Sequence, residues 1–384
     1  MKLTFCITEL DPGGAEQAAV RIALGLAEMG VDVSFVCLKG HGELGKVLES
    51  NDIPVQYLEA RNRFDVAVVH RLTHALRRIR PDIVQTYLFH ANIAGRIAAR
   101  RAGVPLVVSG IRVAERRRVP YLWIDRVTER LVDRHICVSE SVRSFSIEAG
   151  KLTPDKCVVI PNGVDFEKFA DAKPADLSKF GIPPNVPLVL FVGRLDPQKR
   201  PDWILSVLTI KSAGPLSDCH ALFVGEGPLY DNLQQQANRR GVGSRVHFLG
   251  RRNDVGELMK SSTVLALPSA WEGMPNVLLE AMASGLPVVA TAAEGITELL
   301  GDSDLGWVSE LDSLKRFATN LKSALDHPAE RNLRAKSAQS YVQKEFTWDR
   351  VVQTHLELYS SLLNQAENLR SNVTTDRLPE PPEK

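Results

Sequence analysis

Short apolar runs rich in β-branched residues alternate with amphipathic segments along this chain, and that alternation limits the fold more than any other feature. "KLTFCITEL" predicts a strand, "GAEQAAVRIALGLAEMG" a helix that ends at Gly30, and "VDVSFVCL" a second strand. The rhythm restarts at "PLVLFVGRL" and continues through "HALFVGEG", "TVLALPS" and "LPVVAT". Continuous apolar strands separated by helices are typical of buried parallel sheets. The sequence therefore predicts an α/β protein with two doubly wound, Rossmann-like domains.

A segment rich in Pro, Asp and Lys, "DFEKFADAKPADLSKFGIPPNVP", separates the two series and predicts a linker. We therefore expect an N-terminal domain over residues 1–165 and a C-terminal domain over residues 183–346. The polar, Pro-rich end of the chain, residues 371–384, predicts a disordered tail. Because open parallel sheets bind ligands at the carboxyl ends of their strands, a cleft between the two domains is the expected site.

Composition narrows the class of protein. The formal net charge is +1, and no apolar run approaches the roughly 18 residues of a membrane helix. The first residues lack the apolar core of a signal peptide. The five cysteines are scattered and odd in number, which is typical of a reducing compartment rather than of a disulfide framework. We expect a cytoplasmic protein.

Two glutamates lie eight positions apart in "WEGMPNVLLEAMASGLPVVAT". Pro275 suits the first position of a helix, whose N-terminal N–H groups and dipole attract anions. Glu272, before the helix, could accept hydrogen bonds from sugar hydroxyls, and Glu280, about a turn inside, could accept two from a ribose diol. The structural alternative is that Glu272 complements the helix dipole and Glu280 pairs with a buried arginine.

Three further segments carry polar or glycine residues at the ends of predicted strands. In "FVGRLDPQKRP", Arg194 and Lys199 can both face a diphosphate, or can be solvated surface cations. In "TELDPGGAEQ", Gly13 and Gly14 let the backbone approach a ligand, although the spacing does not match a nicotinamide-binding glycine motif. In "QTYLFHANIAG", His90 can donate to a sugar hydroxyl, or be an N-capping or core residue.

Together these motifs resemble the family 4 retaining glycosyltransferases of the GT-B fold, over about residues 1–365. The most specific element is the E-x7-E spacing, and "FVGRLDPQK", "VIPNGVD", "VGEGP" and "GGAE" occur in the family order. The resemblance implies two Rossmann-like domains that face a central cleft. A nucleotide-diphosphate sugar, preferably a UDP-sugar, would bind mainly to the C-terminal domain, and the acceptor to the N-terminal domain. The helix in "WDRVVQTHLELYSSLL", residues 347–366, would cross back onto the first domain.

The resemblance also implies roles for individual residues. Arg194 and Lys199 would neutralise the donor diphosphate in place of a metal ion, and His90 would contact the donor sugar. The expected catalytic residues are Arg194, Lys199, Glu272 and His90. The expected donor-binding residues are Gly13, Gly14, Arg251, Gly273, Met274, Asn276 and Glu280. Transfer would occur with retention, the leaving diphosphate helping to deprotonate the acceptor, without a cofactor.

One motif departs from the family pattern, and one further string resembles a metal-binding motif. The family often carries two glycines before the acid that follows "PVVAT", whereas "AAEGITELL" has one, which leaves the role of Glu298 open. The string "DSD" at 302–304 can mark a metal site elsewhere, and we expect it to be a structural surface loop here.

Positive charge is concentrated between Arg61 and Arg118, a segment that contains thirteen Lys or Arg residues and only three Asp or Glu residues. Basic residues beside aromatic ones suit an anionic membrane surface, which would give access to a lipid-linked acceptor. A solvated basic face is the alternative, and no nucleic-acid-binding module is present. The expected acceptor or membrane face comprises Arg112, Arg116, Arg117, Arg118 and Trp123.

Three other functions are compatible with this architecture. A nucleotide-sugar epimerase would also hold a UDP-sugar, but would need further acids and a histidine in the cleft. A phosphorylase would need a much longer chain and a pyridoxal-bearing lysine. A non-catalytic assembly subunit would be expected to lack Glu280, Arg194 or Lys199, and all three are present.

Overall fold

The computed structural model describes residues 1–62, 65–114, 119–210, 214–301 and 304–375. It divides into two compact units. Unit 1 comprises Met1–Val138, Arg143–Ile160 and the chain from Trp348 onward, and unit 2 comprises Ser139–Val142 and Pro161–Thr347.

Unit 1 is built on a parallel sheet of seven strands in the order β3-β2-β1-β4-β5-β6-β7. Its strands are β1 (Lys2–Ile7), β2 (Asp32–Cys37), β3 (Val55–Tyr57), β4 (Ile83–Tyr87), β5 (Leu106–Ile111), β6 (Arg134–Cys137) and β7 (Cys157–Val159). The helices are α1 (Gly14–Glu28), α2 (Glu43–Glu49), α3 (Ala67–Ile79), α4 (Phe89–Ala102), α5 (Val119–Thr128) and most of α6 (Glu140–Glu148), whose first residues, up to Val142, belong to unit 2. Successive side chains of β1 enter different cores, since Phe5 packs in one cluster and Cys6 in another across the sheet.

Unit 2 is built on a parallel sheet of six strands in the order β10-β9-β8-β11-β12-β13. Its strands are β8 (Leu188–Val192), β9 (His220–Val224), β10 (Val246–Phe248), β11 (Val264–Leu267), β12 (Val288–Thr291) and β13 (Trp307–Ser309). Its helices are α7 (Phe166–Ala170), α8 (Asp202–Leu208), α9 (Tyr230–Arg239), α10 (Val255–Lys260), α11 (Asn276–Ser284), α12 (Ile296–Leu300), α13 (Leu314–Asp326) and α14 (Pro328–Glu345). Two doubly wound parallel sheets confirm the predicted fold class.

The strand order reverses at one point in each sheet, between β1 and β4 in unit 1 and between β8 and β11 in unit 2. Ligands of open α/β sheets bind outside the carboxyl ends of the strands at such a point. In unit 1 the two flanking strands lead to Gly13 and His90, and in unit 2 they lead to Lys199 and Glu272. The topology therefore places these four residues at the positions where each fold binds ligands.

The last described helix, α15 (Trp348–Thr375), belongs to unit 1 and packs against α1. Gly25 permits this contact, because a Cβ atom there would lie 2.7 Å from Cγ2 of Val352. The expected return of the C-terminal helix to the first domain is confirmed. Most of the predicted disordered tail, residues 376–384, lies outside the described residues, while α15 continues to Thr375.

The segment predicted to be a linker instead forms part of unit 2. It contains α7, whose Phe169 is buried, and the N–H of Ala175 donates to the carbonyl of Glu257 at 3.1 Å. Its polar composition reflects an exposed outer side, while the buried side chains of Phe169 and Ile182 face the core of unit 2. No helix in the described ranges is long and apolar enough to cross a bilayer.

Candidate functional site

Lys199 and Glu272 form an ion pair at the carboxyl ends of β8 and β11. Nζ of Lys199 lies 2.5 Å from Oε1 of Glu272, and the two side chains are only 17% and 7% exposed. Two hydrogen bonds through Gln198 join the same loops: its side chain donates to the carbonyl of Trp271 at 2.9 Å, and its carbonyl accepts from the N–H of Ala270 at 2.7 Å. The two predicted charges are thus held against each other by a braced pair of loops.

Arg194 differs from Lys199 because its side chain is 71% exposed. Its Nε lies 3.8 Å from a carboxylate oxygen of Asp196. That carboxylate also accepts a hydrogen bond from the N–H of Gln198 at 3.0 Å, which shapes the turn. Arg194 is therefore a cation that can reach toward an incoming anion, whereas Lys199 is fixed.

The N-terminus of α11 has no side-chain cap, because Pro275 stands at the N-cap position. The first N–H groups of a helix lack intrahelical partners and carry partial positive charge. Asn162 braces this turn: its side-chain amide donates to the carbonyl of Met274 at 3.0 Å and to Oδ1 of Asn276 at 2.6 Å. On the other side Gly295 packs so closely that a Cβ there would overlap the Gly273 carbonyl.

Neither Asn162 nor Gly295 was predicted from the sequence as a site residue. Asn162 lies inside "VIPNGVD", a segment that carried the family resemblance, so a signal for it was present. Gly295 is the single glycine of "AAEGITELL", and its φ of +71° favours glycine independently of the close packing. Both residues act by fixing the backbone of the loop before α11.

Glu280 lies one turn inside α11, and burial raises the pKa of its carboxyl group to about 7. The nearby charge of Lys168 opposes this rise in pKa. The structural alternative for Glu280, a pairing with a buried arginine, is not found among the described residues, where lysine supplies the neighbouring charge. Hydrogen-bond donors from a ligand would stabilise the charged form of this buried carboxyl group, which lies one turn from the helix N-terminus.

The acids that follow β12 have structural partners. Glu294 accepts a hydrogen bond from the N–H of Glu272 at 3.3 Å. The carboxylate of Glu298 accepts from the N–H groups of Glu140, at 2.7 Å, and Ser141, at the start of α6. Glu298 thus acts as an anion at a helix N-terminus, where negative charge is stabilising.

The "DSD" string is described only at its end. Asp302 lies outside the described residues, whereas Asp304 is 83% exposed and its carboxylate lies 3.4 Å from Arg334. Within the ranges that the structure covers, no cluster of three His, Cys, Asp or Glu side chains could hold a metal ion.

Close backbone contacts bring together the turns after β8, β9 and β10. The N–H of Gly225 donates to the carbonyl of Gly250 at 2.7 Å, and a Cβ at Gly225 would overlap the carbonyl of Gly193. Arg251, the residue expected beside the base, follows directly and is exposed. Its role toward a base stays a prediction.

In unit 1 the turn after β1 is occupied by Gly13, Gly14 and Glu16. Gly13 is the N-cap of α1, and a Cβ there would overlap the Glu16 carboxylate, which folds back over it. Burial raises the pKa of Glu16, and the charge of Arg112 opposes that effect. Arg112 lies 5.8 Å from the centroid of the Tyr87 ring, and burial lowers its pKa. Arg112 is therefore half-buried in unit 1 and interacts electrostatically with Glu16 at the glycine turn.

His90 lies in the first turn of α4, in an aromatic cluster. The Phe89 ring stacks on Tyr121 with centroids 3.6 Å apart, and the His90 ring lies 6.4 Å from Tyr121. Trp123, two residues further along α5, is 66% exposed. The three arginines expected on the same face, Arg116, Arg117 and Arg118, lie outside the described residues.

Several arginines of the basic segment have structural roles, which the charge count did not reveal. Arg96 is fully buried: Nη1 donates to Asp125 at 2.7 Å and to Thr128 at 2.8 Å, and Nε donates to Ser109 at 2.9 Å. Arg100 pairs with Asp133 at 2.6 Å. Arg96 therefore attaches α5, and with it Trp123, to the sheet.

Comparison with known proteins places this geometry in a family. The family described as "Glycosyltransferase Family 4" matches residues 12–168, and "Glycosyl transferases group 1" matches residues 172–341. The chain is 32% identical over 311 residues to the UDP-Gal:alpha-D-GlcNAc-diphosphoundecaprenol alpha-1,3-galactosyltransferase of Escherichia coli, which covers 78% of this chain and 80% of that protein. It is 30% identical over 370 residues to the D-inositol 3-phosphate glycosyltransferase of Stackebrandtia nassauensis, covering 83% of each.

Solved structures share the fold. The structure of Anabaena HepE in complex with UDP-glucose superposes with a TM-score of 0.83 and 24% identity, covering 94% of this chain and all of that one. WaaG, a glycosyltransferase involved in lipopolysaccharide biosynthesis, superposes with a TM-score of 0.73 and 21% identity over 93% of this chain and 99% of that one. These likenesses support the same two-sheet architecture.

Proposed function

The chain belongs to the glycosyl transferases group 1, with the family 4 N-terminal domain, and on that premise we propose that it transfers a sugar from a UDP-sugar, with retention, to a hydroxyl of a lipid-linked or glycan acceptor. The predicted family resemblance and the predicted GT-B fold are confirmed. The named relatives are transferases, which favours transfer over epimerisation, phosphorolysis or a non-catalytic role.

The observation that carries the proposal is the Lys199–Glu272 pair beside the uncapped N-terminus of α11. A donor diphosphate at this point would contact Lys199 and the N–H groups of the helix, and the exposed side chain of Arg194 could extend to it. Cations and helix N-termini are the groups that proteins use for diphosphates. Lys199 is held at 2.5 Å from Glu272, so it is oriented before any ligand arrives.

Glu280 fits the ribose of the same donor. A ribose diol has two O–H donors, and hydrogen bonding to a carboxylate favours its charged form. The free protein holds this carboxyl at a pKa of about 7, so that donor binding would lower the pKa and release a proton near neutral pH. Glu272 would accept hydrogen bonds from sugar hydroxyls through Oε2, because Oε1 contacts Lys199.

In the transfer itself, the bond between the anomeric carbon and the diphosphate oxygen breaks as the acceptor oxygen bonds to that carbon on the same face. The proton of the acceptor hydroxyl passes to the departing diphosphate oxygen. Negative charge grows on the diphosphate, where Lys199, Arg194 and the α11 N-terminus would stabilise it. Such preorganised charge is commonly the largest catalytic contribution, and positioning of the two substrates adds to it.

We propose that this cationic set makes a divalent metal unnecessary. The prediction is that transfer continues at an unchanged rate in excess EDTA. Activity that requires added Mg²⁺ or Mn²⁺ would contradict it, and would require ligands that the described residues do not group together.

Helix α5 is the proposed membrane contact. Trp123 is 66% and Val127 45% exposed, and at four-residue spacing they share one helix face near the exposed Arg126 and Arg130. An exposed aromatic and aliphatic pair beside arginines is suited to an anionic bilayer surface. Flotation with anionic vesicles should recover the wild type and lose Trp123→Ala. Equal recovery with anionic and neutral lipids would refute the membrane contact while leaving the enzyme proposal intact.

A donor screen tests the function as a whole. Purified protein would be offered a panel of UDP- and GDP-sugars, with slow donor hydrolysis and thermal shift as readouts. We expect one UDP-sugar to be hydrolysed and the anomeric configuration of the released sugar to be that of the donor. Inversion of that configuration, or interconversion of donor sugars without hydrolysis, would overturn the proposal.

A further inference from the structure

Unit 1 has a cavity outside the proposed donor site, between the edge strand β3 and helix α3. Its volume is about 390 Å³, and its lining includes Tyr57, His70, Arg71, His74 and Arg78. Sites for small ligands typically have volumes of about 300–1,000 Å³. The cavity can therefore accommodate a sugar-sized group.

Helical spacing brings the cationic and imidazole side chains of the cavity together. His70, His74 and Arg78 are four residues apart along α3 and so lie on one face of the helix. The rings of His70 and His74 meet edge to face with centroids 5.2 Å apart. With only two imidazoles, the cluster is too small for a metal site, and no third His, Cys, Asp or Glu completes one among the described residues.

Both arginines of the cavity are held in position by the chain. Arg71 donates from Nε to the carbonyl of Leu58 at 3.0 Å and from Nη2 to Asp65 at 2.8 Å. Arg78 donates from Nη2 to the side-chain oxygen of Gln56 at 2.8 Å. A guanidinium has five N–H donors. These bonds use two donors of Arg71 and one of Arg78, so each guanidinium retains N–H donors for an oxyanion.

The cavity lies at the carboxyl end of β3, the same end of the unit 1 sheet at which β1 and β4 lead to Gly13 and His90. β3 is two strands from β1 in the order β3-β2-β1-β4, so it is about 10 Å from the strand that leads to Gly13, at about 4.8 Å per strand. The residue two after β3, Glu59, has a φ of +50°, and non-glycine residues in this region often mark functional sites. The distance suits a more remote part of a bound acceptor.

We propose that this cavity binds an oxyanion of the acceptor, a phosphate, diphosphate or uronate carboxylate, through Arg78, His74 and His70. The inference rests on the proposed function only for the identity of its ligand. Asp65 offsets the charge of Arg71, and Glu59 adds a negative charge to the lining, so Arg78 and the imidazoles supply the specific donors. The apolar ring of Tyr57 provides a surface for the sugar that carries the anion.

Binding can be measured without turnover, by calorimetric titration of the whole chain with inorganic pyrophosphate and, separately, with glucuronate. Saturating UDP is present in both titrations so that the proposed donor diphosphate site is already filled. Arg78→Ala and the double variant H70Q/H74Q should each bind the preferred anion about 10-fold more weakly, the usual consequence of losing a charge-assisted hydrogen bond. Arg77→Ala is the matched control, because Arg77 is exposed on the same helix, donates to the carbonyl of Arg101 at 3.0 Å and does not line the cavity. Equal weakening in this control would show a general charge effect and overturn the site.

Kinetics with the preferred donor then test the acceptor assignment. In Arg78→Ala the KM for the acceptor should rise about 10-fold with the KM for the donor unchanged, and Arg78→Lys should restore part of the loss. Should Arg78→Ala fail to fold, His74→Gln gives the same comparison at an exposed position. Weakened pyrophosphate binding with an unchanged acceptor KM would mean an adventitious ion only, and would refute the proposal. A wild type that binds pyrophosphate here but transfers no sugar would instead refute the proposed function.

Discussion

The Lys199–Glu272 pair yields a prediction that separates stability from catalysis. The two side chains are 17% and 7% exposed and their charged atoms are 2.5 Å apart. Replacing Lys199 by Met leaves the Glu272 carboxylate buried without its cation, and breaking a buried pair in this way costs about 3–5 kcal/mol. At roughly 2–4 °C per kcal/mol for a unit of this size, the melting temperature of unit 2 should fall by roughly 10 °C.

Adding Glu272→Gln removes the stranded charge while preserving the shape of the side chain. The double variant K199M/E272Q should therefore unfold within about 1 kcal/mol of the wild type, because replacing both members of a buried pair by uncharged groups is often nearly neutral. Activity should not recover with stability. Both variants lack Lys199, one of the two cations proposed to stabilise the donor diphosphate, and kcat/KM should stay at least about 100-fold below the wild type in each.

The assay is thermal unfolding followed by tryptophan fluorescence, with Trp271 adjacent to the pair, beside kcat/KM for the best donor. Lys344→Met is the matched control in the same unit, since Lys344 is 81% exposed, lies 3.7 Å from Glu345 and should contribute at most about 1 kcal/mol. If K199M were as stable as K344M, or if the double variant were no more stable than K199M, the reasoning from a buried ion pair would be wrong.

Three other predictions follow from the geometry. Gly295→Ala should destabilise unit 2 and abolish the thermal shift given by UDP. A Cβ atom at this position would overlap the Gly273 carbonyl, and Gly295 has a φ of +71°. An unchanged thermal shift with UDP would contradict this prediction. A carboxyl group with a pKa of about 7 is half protonated at pH 7, so UDP binding there should release up to about half a proton per site from the wild type and none from this position in Glu280→Gln. Calorimetry in two buffers of different ionisation enthalpy measures this release, and equal release in both proteins would exclude Glu280 as the source. Burial lowers the pKa of His355 to about 4, so the unfolded chain binds the proton first as pH falls, and the unfolding free energy should decline by about 3 kcal/mol between pH 6.5 and 4. His355→Gln should flatten that decline in pH-dependent denaturant unfolding, and an unaltered slope would refute its origin in His355.

Much of the fold could be predicted because its signals are local. Most strands of the two sheets are short runs rich in apolar residues, and the helices between them show the amphipathic spacing that packs one face on a sheet. The linker prediction differed from the structure because the composition of the segment is dominated by its exposed residues, and its two buried side chains, Phe169 and Ile182, do not form a periodic apolar pattern. The charge count likewise included Arg96, whose partners are distant in sequence.

The positions of Lys199 and Glu272 at the ends of strands could be predicted from the sequence, but their contact could not. Lys199 and Glu272 were each placed at the end of a strand, but that they pair with each other depends on β8 and β11 being neighbours. Asn162 and Gly295 act only through the backbone of residues 273–276, so neither carries a chemical signature of its own.

The sequence alone determined the α/β class, the two sheets and the residues at the carboxyl ends of their strands, because hydrophobic periodicity and the strand-to-helix turns are properties of short segments. Only the tertiary structure decided which charges are paired, which are exposed and which carboxyl group has a raised pKa. Burial, desolvation and partner distance arise from residues far apart along the chain, and those quantities set the chemistry of Lys199, Glu272 and Glu280.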